Sequence, residues 1–97
     1  MGITVNIVYS GSDDNAEKFV EEMIASGIVD RVRSELGNER YEYFFPVSNH
    51  ESVLLIDQWT DQNAIDLHHK SPMMSEIAQL RDKYKLRMKV TRYKEID

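Results

Sequence analysis

Two hydrophobic periodicities alternate along this chain in an order that few folds can accept. Period-two runs rich in β-branched and aromatic residues occur at ITVNIVY (3–9), ERYEYFFPV (39–47), VLLIDQW (53–59) and KLRMKVTRY (85–93). The long gaps after the first and third runs carry apolar residues at three- and four-residue spacing, the mark of amphipathic helices. In the first gap Ala16, Phe19, Val20, Met23 and Ile24 form one stripe; Gly27 interrupts it, and Ile28, Val32 and Leu36 continue it to a stop at Gly37. In the second, Thr60 or Asp61 caps a short helix to about Lys70. Ser71 and Pro72 then open another, with Met73, Met74, Ile77, Ala78, Leu80 and Tyr84 inward. SNHES, a polar turn, joins the second and third strands as a hairpin.

The order is therefore β-α-β-β-α-β with both helical connections segmented, which predicts an α+β, ferredoxin-like fold with a four-stranded antiparallel sheet. Ninety-seven residues suffice for one core, so residues 1–97 are expected to be a single domain. Both connections should cover the same face of the sheet. The third strand is apolar on both faces from Val53 to Ile56, so the uncovered face should keep a large apolar patch. Such patches mark association surfaces, and a homodimer formed by two facing sheets is expected.

The chain contains no cysteine, which removes disulfides, thiolate metal sites and Cys nucleophiles together. MGITVNIVYSGS lacks the basic and long apolar parts of a secretory signal, and no run approaches the roughly 18 apolar residues of a membrane span. A soluble, cytoplasmic protein without membrane association is expected. Net charge is −5, yet residues 81–97 carry 7 Lys and Arg against 3 Asp and Glu, while residues 1–80 carry 5 against 14. The basic tail alternates Arg87, Lys89 and Thr91 with Leu86, Met88 and Val90, as the solvated face of a strand does, and no nucleic-acid partner is expected.

His68 and His69 stand on the short helix after the single tryptophan, Trp59. At about 100° per residue, His68 falls inside the arc of Ala64 and Ile65 and His69 at its margin. The two rings diverge by the same angle and cannot share a metal from a regular helix; Asp66 and His69 have the spacing but no third ligand, so no metal site is expected. His68 is then either a core histidine with satisfied nitrogens or a group facing a pocket between helices and sheet, where it can exchange a proton or donate to a substrate oxygen. Trp59 is either a half-buried packing residue or the wall of a flat-ligand site. Asn6, opposite Ile3, Val5 and Ile7 on the first strand, either orients an oxygen or faces solvent. His50 and His69 are expected to be exposed. The chain has no G-x-S-x-G, G-x-G-x-x-G or G-x-x-x-x-G-K-[ST], so neither a nucleophile elbow nor a nucleotide cradle is present.

The stretch from Trp59 to Pro72, WTDQNAIDLHHKSP, resembles the W-x-[DE]-x-x-A-x-x-x-H-x-x-S-P signature of the antibiotic biosynthesis monooxygenase family, and ELGNERYEYFFP is similar to its E-x-G-x-x-x-Y segment. The resemblance implies a dimeric α/β barrel. For the quinol and polyketide branches it implies oxidation of a small aromatic by O2 without metal or flavin, hence no cofactor. It places His68 at the family's helix histidine, Trp59 at the tryptophan ending the third strand and, loosely, Asn6 at a polar position of the first strand; these three are the expected catalytic residues. Tyr43 and Phe45, with Met74, are expected to wall the substrate site, although methionines such as Met73 and Met74 also serve as core filling. The haem-degrading branch fits poorly, because His68 stands where its helix tryptophan belongs and Ala78 where its haem-ligating histidine belongs. A non-catalytic small-molecule-binding dimer and an isomerase or lyase of a small carbonyl compound remain alternatives; the latter would use Arg40, Arg87 or Arg92 for an anion.

Overall fold

The computed structural model describes residues 2–96, and within them the elements follow in the expected order. They are β1 (Ile3–Ser10), α1 (Asn15–Ala25), α2 (Ile28–Arg33), β2 (Asn38–Phe44), β3 (Ser52–Trp59), α3 (Gln62–His69), α4 (Met73–Lys83) and β4 (Arg87–Lys94). The strands make one antiparallel sheet in the order β2-β3-β1-β4, the ferredoxin-like arrangement.

Local chemistry sets the helix boundaries. Gly27 adopts φ 83°, a left-handed conformation that separates α1 from α2. The Asp61 carboxylate accepts the Ala64 N–H at 2.9 Å and starts α3. Ser71 Oγ accepts the Met73 N–H at 3.0 Å, so the Ser-Pro pair begins α4.

Cross-strand partners share a face, so the register can be read as rows. Tyr41, Asp57, Val5 and Arg92 form one row across all four strands on the helix-covered face, and Tyr43, Leu55, Ile7 and Val90 form the next. The core lies between these rows and the helices, with Phe19, Met23, Val32, Val53, Leu55 and Trp59 almost wholly enclosed. On the other face the corresponding row is Glu42, Ile56, Asn6 and Thr91. Here Leu54 and Ile56 are half-buried, and Val8, Phe44 and Tyr93 are exposed.

Three expectations need correction. Leu36 does not continue the apolar stripe: α2 ends at Arg33 and Leu36 is 82% exposed in the turn leading to Gly37. Ile24 is exposed because it lies at the margin of the arc centred on Ala16 and Met23. β2 stops at Phe44, ahead of Pro46, so Phe45 leaves the alternation of Tyr41 and Tyr43 and is exposed. No described helix is long and apolar enough to cross a membrane.

Candidate active site

Strand parity and one loop assemble the site. Val53, Leu55, Asp57 and Trp59 alternate along the covered face of β3, and all four are buried. An aspartate in such a row is the departure that marks the place. Trp59 is immediately followed by the cap of α3, and two turns along that helix His68 comes back over the indole. The two ring centroids are 4.7 Å apart at a tilt of 32°.

The turn after α2 supplies the third side. Gly37, with φ 86°, allows the chain to reverse into β2, and its carbonyl accepts the Thr60 N–H at 2.9 Å. A Cβ on Gly37 would lie 2.5 Å from Ala64 Cβ, so this turn rests directly on the first turn of α3. That close approach brings Glu35 to His68: Nδ1 donates to Glu35 Oε1 at 2.9 Å, with His68 buried and Glu35 only partly exposed. The two sequence stretches thus meet where Glu35 touches His68 and where Gly37 abuts Ala64 and Thr60.

Trp59 and His68 border a cavity of about 250 Å³ between the covered face of the sheet and helices α3 and α4. Its walls are mostly apolar, including Val5, Ile65, Met74 and Ile77, and Tyr41 and Asp57 lie in its floor. Beside β4 the cavity is open: Met88 and Val90 face it yet remain 44% and 47% exposed. Arg81 and Arg92 stand at this rim, and the Arg92 guanidinium donates to the Gln62 side chain.

The electrostatics centre on Asp57. Burial pushes its carboxyl from an ordinary 3.8 to about 7; the Trp59 indole N–H draws it down, and the Glu35 charge raises it. Its Oδ1 has no hydrogen-bond partner among the described residues. Burial likewise pushes the Tyr9 phenol up to about 12, and the Tyr41 phenol well above its ordinary value. Both tyrosines therefore stay protonated at neutral pH.

Of the residues singled out from sequence, His68, Trp59 and Met74 line this cavity. Asn6 does not: it sits in the row with Ile56 and Thr91 on the opposite face of the sheet. Tyr43 is on the covered face but packs edge-on against Phe19 and Tyr41 outside the cavity, and Phe45 lies past the end of β2. His69 reaches the rim, and Arg92 faces the cavity side of β4 by its pairing with Val5. Sequence reasoning missed Asp57, although its parity with Leu55 and Trp59 was a usable signal. It also missed the Glu35 contact, which no spacing within either stretch reveals. No group of three or more His, Asp or Glu side chains poised for a metal ion occurs among the described residues.

Residues 2–80 match the protein family described as antibiotic biosynthesis monooxygenase. No curated protein matches the chain. Among solved structures, a candidate antibiotic biosynthesis monooxygenase from Deinococcus radiodurans superposes with a TM-score of 0.83 at 19% identity, covering 100% of this chain and 94% of that one. A conserved protein from Methanosarcina mazei Go1 gives 0.84 at 18% identity, over 99% and 94% of the two chains. SnoaB, a cofactor-independent oxygenase from Streptomyces nogalater, gives 0.81 at 14% identity, again over 99% and 94%. Likenesses at such identities establish the fold.

Proposed function

The chain belongs to the antibiotic biosynthesis monooxygenase family, and from that premise we propose that it is a cofactor-independent monooxygenase that oxidises a quinol or polyphenolic aromatic with O2. The observation that carries this reading is the stack of His68 on Trp59 at the wall of a mostly apolar cavity. A flat aromatic ring fits such walls, and an imidazole whose Nδ1 donates to Glu35 can accept from, or exchange a proton with, a ring hydroxyl through Nε2. The likeness in fold to SnoaB supports the same class of chemistry.

In this reading the substrate supplies the electrons. A quinol gives one hydroxyl proton to a protein base, and the resulting anion passes one electron to O2. The semiquinone and superoxide join at a ring carbon, forming a C–O bond. Loss of the hydrogen on that carbon with cleavage of the O–O bond leaves a new carbonyl, and the departing oxygen leaves as water with the proton first removed. For a naphthoquinol the sum is quinol plus O2 to hydroxynaphthoquinone plus water. The protein binds the ring, sets its protonation state and limits access of bulk water.

Oxygen uptake with a panel of naphthoquinols tests the proposal. The wild type should exceed the autoxidation blank, and His68→Ala should fall toward it by on the order of a hundredfold. Equal rates for the two proteins would remove His68 from the chemistry. Absence of turnover, with saturable quenching of Trp59 fluorescence by the same compounds, would leave a binding protein instead.

The proposed unit is a homodimer in which two uncovered sheet faces meet, burying Val8, Phe44, Leu54, Ile56 and Tyr93. A strictly monomeric species in sedimentation at micromolar concentration would overturn that assembly.

A further inference from the structure

We propose that Asp57 is a catalytic residue of this site, the base whose carboxylate takes the hydroxyl proton of the bound aromatic; this rests on the oxygenase reading above. A buried carboxyl in a core normally has its oxygens occupied by donors or a cation. Asp57 is 5% exposed, yet its Oδ1 has no hydrogen-bond partner, and no ion pair to it forms among the described residues. The free oxygen belongs to a residue in the cavity floor, two positions from Trp59 on the same strand face, where a ring lying along the indole would bring a hydroxyl. A carboxyl retained at this cost, acted on by the Trp59 indole N–H but with Oδ1 free, fits a group whose remaining partner is the ligand.

Among the carboxyl and phenol groups lining the cavity, Asp57 is the one that can accept a proton at neutral pH. From β1, Tyr9 and, from β2, Tyr41 are held protonated by burial and can only donate at neutral pH. Tyr43, also on β2, is raised for the same reason. On the helix side, His68 Nδ1 donates to Glu35, so Nε2 presents a lone pair to the cavity and can accept from the second hydroxyl of the quinol. Glu35 acts on Asp57 through its charge and favours the protonated carboxyl. Arg81 on α4 and His69 on α3 stand at the rim, and Arg92 lies two strands away, roughly 10 Å at the usual strand spacing.

Burial places the Asp57 proton affinity near neutrality, so the carboxylate is populated at pH 7 and still basic enough to accept a proton in the transition state. The step is balanced: the O–H bond of the quinol breaks, the proton passes to Asp57 Oδ1, and the quinolate keeps the electron pair. His68 stays beside the ring through this step, its imidazole held in place by the bond from Nδ1 to Glu35. The same proton is later available for the oxygen that leaves as water.

The test compares wild type with Asp57→Asn, a substitution of the same shape. The wild-type kcat for a naphthoquinol should rise through an ionisation near pH 7 and level off. Asp57→Asn should lose this inflection and fall by on the order of 10²–10⁴ at pH 7. Equal rates and an unchanged profile in Asp57→Asn would overturn the role of Asp57 while leaving the oxygenase reading intact. A second measurement needs neither turnover nor a variant: the carbon-13 resonance of the Asp57 carboxyl, followed with and without 2-naphthol. The resonance should move on binding. An unmoved resonance at saturating 2-naphthol overturns the proposal, whereas a moved one in a protein that oxidises no quinol keeps Asp57 as the hydroxyl-binding group and sinks only the oxygenase.

Discussion

His68 Nδ1 lies 2.9 Å from Glu35 Oε1, joining a helix to a turn 33 residues earlier in the chain. This bond fixes the ring that stacks on Trp59, so its loss should be felt in stability and in any chemistry at the cavity. Glu35→Ala leaves a buried donor unsatisfied and should cost about 1–3 kcal/mol. Glu35→Gln keeps an acceptor of the same shape and should cost less. Urea unfolding at pH 7 separates the two, and equal losses would mean that the hydrogen bond does not hold the ring.

Asp57 predicts a pH dependence of stability. Its carboxyl titrates near 3.8 when unfolded and near 7 when folded, so the native state resists ionisation. The protonated group favours folding fully below about pH 4, and that contribution is lost as pH rises toward 7, then stays constant. At about 1.4 kcal/mol per unit the difference is on the order of 4 kcal/mol. Asp57→Asn should remove this slope, so its stability relative to wild type should increase between pH 4.5 and pH 8. Parallel stability curves for the two proteins over that range would contradict the assignment.

Two glycines of like backbone should respond differently to alanine. Gly27 and Gly37 have φ of 83° and 86°, but a Cβ on Gly27 meets nothing within 4 Å, whereas on Gly37 it collides with Ala64 and Thr60. Gly27→Ala should cost about 1–2 kcal/mol for the left-handed conformation alone. Gly37→Ala adds overpacking and should cost about 2–4 kcal/mol. It should also displace α3 and with it His68, which a lowered ligand affinity would register.

Filling the cavity should block it without unfolding the protein. Ala78 lines the cavity from α4 and is only half-buried, so Ala78→Phe places a ring in the open volume. Quenching of Trp59 fluorescence by 1,4-naphthoquinone should be saturable in wild type and weakened at least about tenfold, or about 1.4 kcal/mol, in the variant. Unchanged quenching would mean that the quinone binds elsewhere.

Much of the fold was legible in local pattern, because each element carries its own period and its own boundary chemistry. Asp61 and the Ser71–Pro72 pair begin the two later helices as their side chains dictate, and Gly27 divides the first connection through its left-handed backbone. The inward turn of His68 also followed from helical angle alone, since Ala64 and Ile65 define the buried arc. Phe45 escaped that logic because alternation says nothing about where a strand stops, and Pro46 ends the ladder one residue early.

The site needed register as well as pattern. Parity along β1 separates Asn6 from Val5, but only the covering of one face by all four helices decides that Val5 meets the cavity and Asn6 does not. Asp57 gains its meaning from the depth at which the sheet holds it, and Glu35 from a turn seated on Ala64. The sequence by itself determined the elements and their buried faces, because backbone propensity and hydrophobic period act over a few residues. Only the tertiary structure decided which polar groups share one dry space, since desolvation and hydrogen bonding depend on neighbours from distant parts of the chain.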